Sequence, residues 1–142
     1  MNVTETMTFQ EYWEDERFVN KRPFMHGSKK QSFGDNIYHR VGTRWYQEDS
    51  HHSLESGAQN KRNIANDTQT NKVLVSTDFI YYGGSGPVIP KKFRNFGGVD
   101  ICGRRGHKNR FPEKMVIQFV EWLRLRNESG FHGAPLDWSK SS

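Results

Sequence analysis

Two stretches, Gly34-Asp35-Asn36-Ile37-Tyr38-His39-Arg40 and Gln47-Glu48-Asp49-Ser50-His51-His52-Ser53, gather two Asp carboxylates, three of the six histidines, a Tyr and an Asn into residues 34–53. Such groups donate and accept protons, hold polar ligands or bind metals. Asp49 and His51 stand at i and i+2, so on a strand they face the same way. A carboxylate and an imidazole so placed serve as a base with its orienting partner, or as two metal ligands. Asp35 and His39 are the nearest further helpers, which makes Asp49, His51, His39 and Asp35 the catalytic candidates. A metal would draw on His39, Asp49 and His51, although the chain has no HExxH or CxxC spacing. The plainer alternative is that Asp49 caps a turn and the histidines are solvated. The Asn36 amide both donates and accepts, which suits a base edge, and Tyr38 can stack or hydrogen-bond. Asp35 and Asn36 also build turns after a glycine.

Two further motifs invite a phosphate. In Tyr81-Tyr82-Gly83-Gly84-Ser85-Gly86-Pro87, glycines let backbone amides approach an anion, and Tyr81 and Tyr82 can stack on a base. Gly84, Ser85 and Gly86 are the expected contacts. The spacing is neither a Walker loop nor a dinucleotide fingerprint, so a tight connection between strands is the competing explanation. In Gly103-Arg104-Arg105-Gly106-His107-Lys108, Arg105 offers a fork, Lys108 a point charge and His107 a proton. A following helix N-terminus would add free amides, and the alternative is a solvated basic loop. Cys102 lacks any nucleophile signature, and there is no GxSxG motif.

The elements that must position these groups follow from local patterns. Thr8-Phe9-Gln10-Glu11 reads as a capping box, and Phe9, Tyr12 and Trp13 share a helical face, so a helix is expected over 8–17. Residues 20–34 read as an irregular connection. Ile37–Arg40 and Arg44–Gln47 read as strands joined at Gly42, with Asn36 and Tyr38 on one face and His39 on the other. Residues 53–71 read as a long surface loop. Val73-Leu74-Val75 and Phe79-Ile80-Tyr81-Tyr82 read as strands. From Pro112 to a stop at Gly130, Val116, Phe119, Val120 and Leu123 mark an amphipathic helix, with Glu113 and Arg124 suited to its dipole. Residues 131–142 read as a tail in which Phe131, Leu136 and Trp138 can dock. The expected fold is α+β: one compact domain over 1–130, with a small, mostly antiparallel sheet, an N-terminal helix and a C-terminal amphipathic helix.

The chain has 142 residues, enough for one core, but only 33% are hydrophobic against ~45–50% in ordinary domains. Aromatics make up 13%, so rings rather than aliphatics should fill the core, and an aromatic face could serve self-association into a homo-oligomer. The net charge of +5 inclines the chain towards anionic partners such as nucleotides or nucleic acid. No apolar run approaches the ~18 residues of a membrane helix. A lone cysteine and no secretory leader pattern make a reducing cytoplasm the expected setting.

The chain resembles the family called nucleotide modification associated domain 2, found in phages and bacteria. The resemblance runs through Lys21-Arg22-Pro23, Gly34-Asp35-Asn36-Ile37-Tyr38-His39, Asp49-Ser50-His51-His52-Ser53, Val73-Leu74-Val75-Ser76, Tyr82-Gly83-Gly84-Ser85-Gly86-Pro87, Ile89-Pro90 and Gly103-Arg104-Arg105-Gly106-His107-Lys108, over residues 8–126. It implies a compact α+β domain that accompanies enzymes modifying DNA bases in phage and mobile-element systems. It implies a site among Asp35, Asn36, Tyr38, His39, Asp49, His51, His52, Gly84, Gly86, Arg105, His107 and Lys108, without assigning a reaction or a cofactor. The favoured function is nucleotide binding, either in DNA base modification or as an anti-defence sponge for a nucleotide immune signal. The alternatives are a nucleotide- or base-modifying enzyme or metal-dependent hydrolase with an Asp/His site, and a DNA-binding accessory module. Whether the ligand is turned over stays open at the level of sequence.

Overall fold

The Thr8 box forms as its pattern predicts. In the computed structural model, which describes residues 1–103 and 108–136, Thr8 Oγ1 accepts from the Glu11 N–H at 3.2 Å and the Glu11 carboxylate accepts from the Thr8 N–H at 2.7 Å. Helix α1 spans Phe9–Glu14 and is shorter than expected. Asp15 stops it by capping the next element, accepting from the Arg17 N–H to open a 3-10 helix over Glu16–Lys21. The aromatic face of α1 is used as the spacing implied. Tyr12 is buried, and Phe9 meets Tyr38 and Trp45 edge-on at 5.7 Å each.

The hairpin also forms. Strands β2 (Tyr38–Val41) and β3 (Arg44–Gln47) pair antiparallel, with Tyr38 opposite Gln47 and His39 opposite Tyr46. Gly42 takes a φ of +62°, which a side chain resists. Two polar segments hold more structure than expected. Within 20–34, helix α2 (Lys29–Ser32) starts at a Ser28/Gln31 capping box. Within 53–71, helix α3 (Lys61–Asp67) is capped by Asn60, whose side chain accepts from the Arg62 and Asn63 N–H groups. The aliphatic strand, here β4 (Val73–Val75), pairs antiparallel with Glu5–Met7, which is β1.

These elements make up the first of two compact units, Met1–Thr77; the second is Asp78–Ser142. In the second, β5 (Ile80–Tyr81) pairs in parallel with β6 (Gly130–Phe131), so Phe131 of the expected tail joins a sheet. Helices α4 (Lys91–Arg94) and α5 (Glu113–Arg124) hold this unit's core. Phe93 and Met115 are 0% exposed, and Phe119 and Trp122 pack against Phe93 at 5.2 and 6.0 Å.

The class is thus α+β. Within it, the single expected sheet is replaced, among the described residues, by three two-stranded ones, two antiparallel and one parallel. The buried face of α5 is rotated from the expected stripe. Met115, Phe119 and Trp122 point inward, whereas Val116 and Val120 are 44% and 37% exposed, because the large rings find Phe93. Nor is Gly130 the stop of α5. The helix ends at Arg124, Asn127 takes the left-handed turn at φ +51°, and Gly130 enters β6. Among the described residues, no helix is long and apolar enough to cross a membrane.

Candidate functional site

In the first unit, a chain of polar side chains runs from the hairpin to α3. Tyr38, at the start of β2, is buried, and its hydroxyl donates to Asp67 Oδ2 at 2.6 Å. The same hydroxyl accepts from Gln47 Nε2 at 3.2 Å. Gln47, directly across the ladder, is buried as well; its Oε1 accepts from the Asn60 N–H at 2.7 Å, and its Nε2 also reaches the His52 carbonyl at 3.3 Å. At the far end, His52 Nδ1 lies 3.5 Å from Asp67 Oδ2, while Asn63 Nδ2 donates to the His52 carbonyl at 2.7 Å. Helix α3 therefore meets the hairpin and the 50–53 turn through Asn60, Asn63 and Asp67, one polar face. The network is buried at Tyr38 and Gln47 and open at its end, where the His52 and Asp67 side chains are 59% and 39% exposed. Burial pushes the Tyr38 hydroxyl well above the usual tyrosine range, the Asp67 hydrogen bond and charge add to this, and Gln47 opposes it. Tyr38 thus stays a proton donor to Asp67 at neutral pH.

The other candidates of this unit go elsewhere. His39 lies on the opposite hairpin face, stacked on Trp13 at 4.1 Å, with Nε2 2.8 Å from Glu48 Oε1. Trp13 also lies under the Arg22 guanidinium at 3.9 Å, and its carbonyl accepts from the same group. Asn36, 1% exposed, precedes β2; its Nδ2 donates to the Tyr12 and Phe18 carbonyls at 3.0 and 3.3 Å. It ties the 35–37 segment to α1 and the 3-10 helix. Asp35 accepts from the Tyr12 hydroxyl at 2.9 Å, and burial, then Asp35, pushes the Tyr12 hydroxyl well up.

Asp49 and His51 do not form the pair that a strand would have made. Residues 49–52 are a turn, in which Ser50 Oγ accepts from the His52 N–H at 3.2 Å and Ser53 Oγ donates to the Glu48 carbonyl at 3.0 Å. His51 stacks on Phe33 at 4.1 Å, with Nε2 3.3 Å from Ser32 Oγ. Asp49 faces Gly57, where an added Cβ would lie 3.2 Å from its Oδ2. His39, Asp49 and His51 thus have separate surroundings, and among the described residues no three His, Cys, Asp or Glu side chains are arranged to hold a metal.

In the second unit, the glycine run serves the chain itself. Gly83 has a φ of +54°, and a Cβ there would sit 2.2 Å from the Ala134 carbonyl oxygen. The Gly84 N–H donates to that oxygen at 3.0 Å, and the Ser85 N–H donates to the Tyr82 carbonyl at 2.9 Å. The motif is a short 3-10 helix, Gly83–Ser85, pressed against residues 133–134, and these two amides are taken. At Gly86 an added Cβ would make only ordinary contact, 3.8 Å from the Tyr82 Cβ. Tyr81 meets Phe131 edge-on at 5.7 Å. Tyr82 donates its hydroxyl to Glu128 at 2.6 Å and accepts from Arg126 Nε at 3.2 Å. Lys108 Nζ donates to the Asp100 carbonyl at 2.5 Å, beside a fork from Arg94 to the Asp100 carboxylate. Arg104, Arg105 and His107, with Trp138, lie outside the described residues.

The structure therefore brings together Tyr38 and His52 from the expected set and adds Gln47 and Asp67. A signal for Asp67 existed: Asn60, Asn63 and Asp67 fall at i, i+3 and i+7, a polar stripe behind a good N-cap. No curated protein and no solved structure matches the chain. A family model described as nucleotide modification associated domain 2 matches residues 1–142.

Proposed function

The chain belongs to the nucleotide modification associated domain 2 family, and on that premise we propose that it serves nucleotide modification by binding a nucleotide at the exposed end of the Tyr38–Gln47–Asp67–His52 network. The observation that carries this reading is the pairing of a buried, fully partnered support with an open carboxylate and imidazole. A network anchored in the interior holds its surface groups in place before a ligand arrives, which lowers the ordering cost of binding. The Asp67 carboxylate suits the exocyclic amine of cytosine or adenine, which donates. Two uses rest on this one chemistry: service to an enzyme that modifies DNA bases, and sequestration of a nucleotide signal without turnover.

Calorimetry with mono-, di- and cyclic nucleotides tests the reading. Binding to at least one, weakened tenfold or more in Asp67→Ala, is the expected result. A folded protein that takes up none of them removes the proposal. Turnover of the bound ligand during the titration would favour modification over sequestration.

A further inference from the structure

We propose that His52 is a proton-transfer group, with Nε2 as the proton acceptor and Asp67 as the residue that positions it. The proposal rests on the nucleotide reading above only for the identity of its substrate. Asp67 Oδ2 sits 3.5 Å from His52 Nδ1. A carboxylate at that distance accepts and does not donate, so it favours the neutral tautomer with the hydrogen on Nδ1, which leaves the lone pair on Nε2. Among the described residues Nε2 has no hydrogen-bond partner, and the side chain is 59% exposed. Asp67 is itself held: Tyr38 donates to the same oxygen at 2.6 Å, Gln47 donates to Tyr38, and the Asn60 N–H holds Gln47. The backbone of His52 is pinned on both sides, its N–H on Ser50 Oγ and its carbonyl under Asn63 and Gln47.

This is the division of labour of a carboxylate–imidazole pair that activates an acidic X–H group. Neutral His52 takes the proton of a nucleotide hydroxyl or base N–H on Nε2, and the electron pair of that bond stays on the substrate oxygen or nitrogen. The ring becomes imidazolium, its new charge facing the Asp67 carboxylate. Return of the proton to product restores the neutral ring.

The ring tautomer tests this without any ligand. In long-range proton–nitrogen correlation spectra of the neutral side chain, His52 should carry its hydrogen on Nδ1. Asp67→Ala should shift it to the Nε2–H form that free imidazole side chains prefer, and Tyr38→Phe should shift it part of the way. Acylation by diethyl pyrocarbonate, read by peptide mass, should be fast at His52 and fall severalfold in Asp67→Ala, with His26 as the internal standard. A mere structural contact would not move that rate. An Nε2–H tautomer in the wild type, or a tautomer and acylation rate indifferent to Asp67→Ala in a protein with unchanged hairpin resonances, overturns the proposal. Failure of the nucleotide titrations with the Nδ1–H tautomer in place removes the ligand class and leaves the proton-transfer pair standing.

Discussion

In Met1–Thr77 the conspicuous polar residues meet side chain to side chain: Tyr38 on Asp67, Gln47 on Tyr38, His52 beside Asp67. In Asp78–Ser142 the conspicuous glycines meet backbone, with Gly83 and Gly84 against the Ala134 carbonyl. Both stretches look like ligand sites as sequences. The difference lies in what each residue type leaves available. A glycine offers only its backbone, so a neighbouring strand or turn of the same chain can occupy it completely. A Tyr–Asp–His chain passes from interior to surface, and its last member has a free nitrogen whatever the first ones do.

If that contrast is right, the largest effect belongs to the glycine turn. Gly83→Ala should destabilise the protein by roughly 3–5 kcal/mol, since it combines a left-handed φ with a contact that cannot relax. Gly42→Ala is the control. Its φ of +62° carries the same backbone strain, but nothing lies within 4 Å, so about 1–2 kcal/mol is expected. Urea unfolding of both variants checks the pair. Equal losses would mean that residues 133–134 do not press on Gly83, and the turn would be open to an anion after all.

Next comes Tyr38→Phe, which removes one hydroxyl and leaves Asp67 and Gln47 each short of a partner. A loss of about 1–3 kcal/mol is expected, because a buried donor deprived of its acceptor costs more than the bond was worth. The same urea experiment reads it. A neutral outcome would show that α3 is held to the hairpin mainly by its other contacts.

Legibility from the sequence followed the range of the signal. The Thr8 box, the Gly42 hairpin and the start of the C-terminal helix after Pro112 rest on residues within a few positions of one another, and each appears where the pattern put it. Strand β1 pairs Thr6 with Leu74, and nothing in three residues announces so distant a partner. Helices α2 and α3 are short and polar, so hydrophobic periodicity passed over them, although Ser28 with Gln31 and Asn60 were cap signals in plain view. In α5 the choice between Val116 and Met115 as the inward position was made by Phe93, a residue from another helix. The site divides in the same way. Tyr38 and His52 stood out by type, whereas Asp67 acquires its meaning only when α3 lies on the hairpin. Asn36 was drawn inward by carbonyls at Tyr12 and Phe18 that no spacing rule connects to it.

The smallest effect sets tyrosines of the two units against each other at alkaline pH. Tyr12 and Tyr38 are raised above the ordinary range chiefly by burial, whereas Tyr82 is raised chiefly by its hydrogen bond to Glu128. A raised tyrosine favours the folded state while both states hold the proton. Its contribution is therefore complete below the unfolded value near 10 and is lost as pH climbs towards the folded value. Stability should accordingly fall from about pH 10 upward, and Tyr38→Phe should soften the fall. Salt separates the causes. Screening weakens the charge part of an interaction at the surface and leaves desolvation untouched. Phenolate absorbance measured at low and high salt, with Tyr38→Phe and Tyr82→Phe to assign the steps, should show the Tyr82 step responding to salt more than the Tyr38 step. A Tyr38 step that moves with salt as far as the Tyr82 step would mean that water reaches its hydroxyl, and the network would then be a surface cluster without an interior anchor.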